Sequence, residues 1–155
     1  MVKKYIDKLV SKSAVNEPLV AYATTTTSHR SNDPLYIIES INNGISYRTY
    51  ARIRDKSPFE DDMWAKFLQV STKTMDRYAK SNSIFKPLQA EKILELSEVF
   101  AIGLEYFEDA EKFRTWLFAP NFGLGQQRPL DLLTSTYGKD LVLDVLVSAE
   151  HGVFI

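Results

Sequence analysis

The feature that most constrains this chain is the spacing of its apolar residues from Leu35 onward. They recur at three and four residues, and no apolar–polar alternation runs longer than about four residues. That spacing lines side chains along one stripe of an α-helix, whereas a half-buried strand needs a period of two. The chain is therefore expected to be all-α. Leu35, Ile38, Ile41 and Ile45 make the first stripe, and Asn42-Asn43-Gly44 supplies a C-terminal stop. Ser46 is a candidate N-cap for a helix running from Tyr47 to Arg54. Asp55-Lys56-Ser57-Pro58 breaks that helix, with Ser57 expected as the next N-cap and Pro58 as the first helical residue. Glu60, Asp61 and Asp62 then fall in a first turn. Carboxylates favour the helix dipole there, which accounts for the three acids without a metal or acid catalysis.

The helix continues through Met63, Trp64, Phe67 and Leu68. Gln69-Val70-Ser71 separates it from a second one at 72–80, and two short helices joined by a tight turn have the geometry of a helix-turn-helix. Val70 and Met75 are expected to bury between them. Lys73, Arg77 and Lys80 follow at i, i+4 and i+7 on one face of the second helix, with the Ser71 and Thr74 hydroxyls near its start. Cations and hydroxyls on an open helix face suit phosphate and base edges in a major groove, and they equally suit a face turned to solvent.

Beyond Ser81-Asn82-Ser83, Pro87 opens a longer helix at 88–107, with Leu88, Ile93, Leu96, Phe100, Leu104 and Phe107 expected inside. A helix at about 108–118 presents Phe113, Trp116 and Leu117. Asn121 to Arg128 form a loop, Pro129 to Leu133 a single turn, and Gly138 to Glu150 the last helix, with Leu141, Val142, Val145, Leu146 and Ala149 on one side and Gly152 as its stop. Phe122 and Leu124, interleaved with Gly123 and Gly125, are expected as displayed apolar anchors. Val153-Phe154-Ile155 is apolar beyond the helix stop, which suits either packing on its own domain or insertion into a partner. Residues 1–34 are weakly patterned: one short helix at 3–12, then irregular chain with the Thr24–Ser28 polar run.

Several chemistries have no residues to carry them. There are no cysteines, and the two histidines, His29 and His151, are too few for a histidine-based zinc site. Gly123-x-Gly125-x-x-Arg128 lacks the third glycine of a dinucleotide fingerprint and follows a helix rather than a strand. Nucleophile-elbow, phosphate-loop and zinc-protease motifs are missing, and Glu150 and His151 point about 100° apart on a helix. No cofactor, metal or catalytic role is expected. With no apolar run of membrane-spanning length and no signal-peptide pattern at the start, the expected location is cytoplasmic. The net charge of −1 hides a gradient: residues 1–57 carry +4, residues 58–105 carry −2 and residues 106–155 carry −3. A basic front and an acidic back suit two different partners.

The tracts Trp64-x-x-Phe67-Leu-Gln-Val-Ser-Thr-Lys-Thr-Met-Asp-Arg-Tyr78 and Trp116-Leu-Phe-Ala-Pro-Asn-Phe-Gly-Leu-Gly-x-x-Arg128-Pro-Leu-Asp-Leu-Leu, followed by Gly138 and Glu150-His-Gly-Val-Phe154, resemble the Xre/MbcA/ParS family of antitoxins. Gln69 stands where that family usually has glycine, Lys73 where it has arginine and Met75 where it has leucine. The resemblance covers residues 60–155 clearly and 35–60 loosely. It does not reach residues 1–34, which their weak patterning marks as an N-terminal arm, and it implies an Xre-like helix-turn-helix bundle at 35–107 and a small helical toxin-binding domain at 108–155. It also implies pairing with a RES-domain toxin that consumes NAD or transfers ADP-ribose, inhibition by covering that toxin's active site, and repression of the operon by DNA binding as a homodimer. By position, Ser71, Lys73, Thr74, Arg77 and Lys80 would contact operator DNA. Asn121, Phe122, Leu124, Arg128, Pro129, Leu130, Glu150, His151, Gly152, Phe154 and Ile155 would face the toxin. The alternative is a free-standing helix-turn-helix regulator with no toxin partner.

If the helix at 72–80 reads DNA, Lys73→Ala combined with Arg77→Ala weakens operator binding and flattens its salt dependence. A salt titration of DNA affinity checks this; unchanged affinity and slope would mean that the helix does not touch DNA.

Overall fold

A computed structural model describes residues 34–150, and the chain divides into two compact units, Met1–Leu94 and Glu95–Ile155. In the first unit, α1 (Pro34–Asn43) ends where Gly44 adopts φ of 79°. Only glycine takes that conformation at no steric cost. A Cβ there would also run into the carbonyl of Phe85 and the side chain of Ile84. The tight approach lets β1 (Ile45–Ser46) pair antiparallel with β2 (Ile84–Phe85), Ile45 opposite Phe85 and Ser46 opposite Ile84. Ile45 is thus not the end of a helical stripe, as its spacing suggested, but a fully buried strand residue. The stripe itself also corrects: Leu35 (73% exposed) and Ile38 (52%) face outward, and α1 instead buries Ser40. The two strand residues per side do not alter the class, which is all-α.

Ser46 caps α2 (Tyr47–Arg54) as its sequence position predicts, its Oγ accepting from the Thr49 N–H at 3.2 Å. Tyr50 of α2 lies edge-on to Trp64 (centroids 5.2 Å apart, 89°) and tilted against Phe85 at 5.0 Å; all three rings are fully buried. Such ring pairs contribute about 0.5–1.5 kcal/mol each beyond their burial. The next helix, α3, spans Asp61–Phe67 and starts later than expected. Ser57 is not its N-cap. Its Oγ instead accepts from the Trp64 indole N–H at 2.9 Å and donates to the Arg54 carbonyl at 2.8 Å. A buried indole N–H needs an acceptor, and that need fixes Ser57 in place. Glu60 occupies the N-cap position, with Asp61 and Asp62 in the first turn.

Between α3 and α4 (Thr72–Ser81) the chain makes a Schellman turn. Val70 N–H donates to the Ala65 carbonyl at 3.0 Å and Gln69 N–H to the Lys66 carbonyl at 3.2 Å. Gln69 pays for this with φ of 54°. Met75 buries between the helices, while Val70 is only half-buried. Asn82, at φ of 45°, ends α4 in the same left-handed way.

Helix α5 (Pro87–Phe107) runs through the division of the units, burying Ala90 and Ile93 before it and Leu96, Val99, Phe100 and Ala101 after it. Leu88, expected inside, is exposed on its first turn. In the second unit Gly103 leaves room for the Phe113 ring of α6 (Ala110–Phe118), which a Cβ would strike. Phe107, Phe113 and Trp116 then lie ring to ring at 5.7–6.1 Å. Asp109 caps α6 by accepting from the Glu111 and Lys112 N–H groups, and those bonds, Lys112 first, hold its carboxyl below the usual carboxylate range. A 3₁₀ turn, η1 (Phe122–Leu124), then α7 (Pro129–Leu132) and α8 (Thr136–Glu150) complete the unit.

A left-handed backbone costs an ordinary residue about 1–2 kcal/mol, part of which glycine gives back through the unfolded chain. Gln69→Gly is therefore expected to stabilise the protein by up to about 1 kcal/mol, read as a rise of a few degrees in Tm. A fall in Tm would mean that the Gln69 side chain contributes more than its backbone costs.

Candidate partner-binding and nucleic-acid surfaces

The loop after α6 closes on itself. Asn121 and Gln127 form an antiparallel bridge, Asn121 N–H donating to the Gln127 carbonyl at 3.0 Å and Gln126 N–H to the Asn121 carbonyl at 2.8 Å. Gly125 and Gln126 take left-handed φ values of 63° and 65° to complete the reversal. This small hydrogen-bonded ring displays Phe122, 79% exposed. Leu124, expected beside it as a second displayed anchor, is buried instead. With about three residues per turn, side chains two apart in a 3₁₀ turn leave on different sides. Phe122 therefore points out while Leu124 packs inward, on a turn that lies against α8.

Arg128 precedes α7 and forms a fork with Asp131: Nε donates to Oδ2 at 2.7 Å and Nη2 to Oδ1 at 2.9 Å. That contact raises the guanidinium pKa, and it leaves the exposed Arg128 as half of an ion pair. Pro129 begins α7 and is buried, and Leu130 and Asn121 are half-buried. Gly138 falls in the first turn of α8, not at its start, and the Leu132 carbonyl occupies the space a Cβ would need. Lys139, just after it, is pulled down by burial but raised on balance by Asp140 and Glu98, which it meets at 2.8 and 3.3 Å.

Two exposed side chains of α8 were not singled out from the sequence. Tyr137 is 89% exposed and Leu141, expected inside, is 54% exposed, while Val142 and Leu146 fill the interior. A sequence signal existed. Tyr137, Leu141, Val142, Leu143, Val145, Leu146 and Val147 point almost all round the helix, and one core can cover only part of that. A shallow open cleft of about 470 Å³ lies between Phe107, Asp109, Lys112, Thr115 and Trp116. Glu150 closes α8, and His151, Gly152, Phe154 and Ile155 lie outside the described residues, as does the arm at 1–33.

In the first unit, α4 brings the expected cations together on an exposed face. Lys73 and Lys80 have no partner among the described residues, and Arg77 touches only the Tyr78 ring, at 5.9 Å. Ser71 caps α4, its Oγ accepting from the Thr74 N–H at 3.1 Å and lying 2.9 Å from the Thr74 hydroxyl. Both hydroxyls are thus partly committed to the helix start. Asp76 is exposed at the edge of the cationic face. Among the described residues no group of histidine, cysteine or carboxylate side chains could hold a metal, and no helix is long and apolar enough to cross a membrane.

These features define an all-α protein of two units, one with a helix-turn-helix and one with apolar side chains raised on a loop and a helix. Residues 103–152 match the family model of the antitoxin Xre/MbcA/ParS C-terminal toxin-binding domain. A relative from Yersinia enterocolitica, the antitoxin Xre, is 30% identical over 86 residues; the match spans 55% of this chain and 58% of the relative. Among solved structures, a chain of the MbcT-MbcA toxin-antitoxin complex of M. tuberculosis shares the fold, with a TM-score of 0.58 and 19% identity over 70% of this chain and 96% of that one. The second unit is thus similar to the C-terminal toxin-binding domain of the Xre/MbcA/ParS antitoxins, and the chain spans little more than half the length of the curated relative it matches.

Because α8 can begin where it does only without a Cβ at 138, Gly138→Ala is expected to cost about 1–3 kcal/mol through overpacking. Thermal melting checks this; an unchanged Tm would show that the α7–α8 corner yields freely.

Proposed function

We propose that this protein is an antitoxin that neutralises a toxin by direct contact through its second unit and represses its own operon through α4. The observation that carries the first part is the toxin-binding family match at 103–152, coincident with exposed Phe122, Tyr137 and Leu141 on a rigid framework. Exposed aromatic and aliphatic anchors on preorganised elements are what protein partners use as hot spots. The partner is a RES-domain toxin from a neighbouring gene, and the antitoxin covers its NAD-consuming or ADP-ribosylating active site without chemistry of its own. The loop Asn121–Arg128, Leu130 and the segment Glu150–Ile155 join the anchors at that interface. Leu124 and Pro129 act from beneath it, as supports.

Repression rests on Lys73 and Lys80, which have no partner among the described residues, and on Arg77, all on one face of α4. A single module reads one half-site, so a homodimer is the form that spans a two-fold operator.

Co-expression with the neighbouring gene tests the proposal. Growth arrest by that gene should be relieved by this chain, and the two products should co-purify. Phe122→Ala with Leu141→Asp should loosen the complex at least tenfold, with Tm little changed because both side chains are exposed. Full relief and unchanged affinity in the double variant would move the interface elsewhere. Specific DNA binding with no co-purifying partner would favour the free-standing regulator.

A further inference from the structure

The arginines of the first unit differ in how they are held. Arg54 is engaged by Asp55 at 2.7 Å and by Asp61 at 3.2 Å. Arg48 is exposed, and its guanidinium has no partner among the described residues. Its backbone, however, is tied across 34 residues of chain to the end of α4. The Arg48 N–H donates to Asn82 Oδ1 at 2.9 Å, and the neighbouring Tyr47 N–H donates to the Ser83 carbonyl at 3.0 Å. Asn82 can do this because its left-handed conformation ends α4 in the same place. Asparagine is the side chain that tolerates that conformation and still offers an acceptor. Ser81 stiffens the corner, its Oγ donating to the Arg77 carbonyl at 2.8 Å and lying 2.6 Å from Ser83 Oγ.

We propose that Arg48 is a phosphate anchor on the same surface as α4, gripping the DNA backbone without reading bases. The proposal rests on the reading of α4 as the DNA-contacting helix. Reading helices present their N-terminal residues to base edges, so an arginine whose backbone is tied just past the C-terminal end of α4 can reach the groove wall, which is phosphate. Arginine's planar fork fits a phosphate. Asn82 is then a positioning residue, holding the Arg48 backbone against the end of α4.

The test compares the wild type, Arg48→Ala, Arg48→Lys and Arg77→Ala on two duplexes, the chain's own upstream DNA and a shuffled sequence, across a salt series. Arg48→Ala should weaken binding to both duplexes by the same factor and lower the slope of log affinity against log salt by about 0.9, one phosphate's worth. Arg48→Lys should restore most of that slope, since charge alone supports it. Arg77→Ala should instead change the ratio between the two duplexes. A wild-type slope in Arg48→Ala, beside a reduced one in Arg77→Ala, would overturn the anchor. A loss confined to the upstream duplex would also overturn it, by making Arg48 a base reader. If the wild type binds neither duplex, the DNA reading of α4 fails, and Arg48 falls with it.

Discussion

The second unit depends on one close approach, that of Gly138 to the carbonyl of Leu132. Without a Cβ at 138, the first turn of α8 lies directly on the end of α7. From that corner the rest follows. Val142 and Leu146 reach the core, Tyr137 and Leu141 are left outside, and η1 settles against α8 with Leu124 tucked in and Phe122 raised. Interiors are packed densely enough that a misplaced methyl group is felt several residues away. A glycine that touches no partner can therefore set what a partner meets.

The first unit is organised around polar ties rather than a close approach. Ser57 serves the Trp64 indole, Ser46 and Ser71 start helices, and Asn82 joins the end of α4 to the start of α2. Among the described residues the Ser40 and Tyr50 hydroxyls are exceptions, and Tyr50 is the more telling. It is buried with no protein partner, and burial raises its pKa well above the usual phenol range. The ring itself, edge-on to Trp64 and tilted against Phe85, holds α2 to α3 and to β2. Cost at the hydroxyl and gain at the ring are separable effects of one side chain.

Much of this was legible in the amino-acid sequence. Helix periodicity located every long helix, a local capping rule placed Ser46, and the polar run Ser81-Asn82-Ser83 marked the end of α4. Cation spacing brought Lys73, Arg77 and Lys80 to one face, because i, i+4 and i+7 is geometry internal to a helix. The failures share a cause: each turns on contacts between elements. Ser57 obeys N-cap preference but answers to an indole seven residues away. Ile45 continues a helical spacing across a glycine that has already ended the helix. Leu141 and Leu88 look like core residues and lie outside, since a helix with apolar residues nearly all round does not say which side its neighbours cover. Phe122 and Leu124 stand on either side of Gly123 and have opposite fates.

In the proposed function, two surfaces on separate units serve separate partners, with the toxin met by the second. Amide hydrogen exchange of the full chain, with and without the neighbouring gene's product, tests it most directly. Slowed exchange should appear across 121–133 and 137–147, while 72–81 exchanges as it does in the free protein. Protection confined to 72–81, or none across 121–147 in a complex that demonstrably forms, would contradict it.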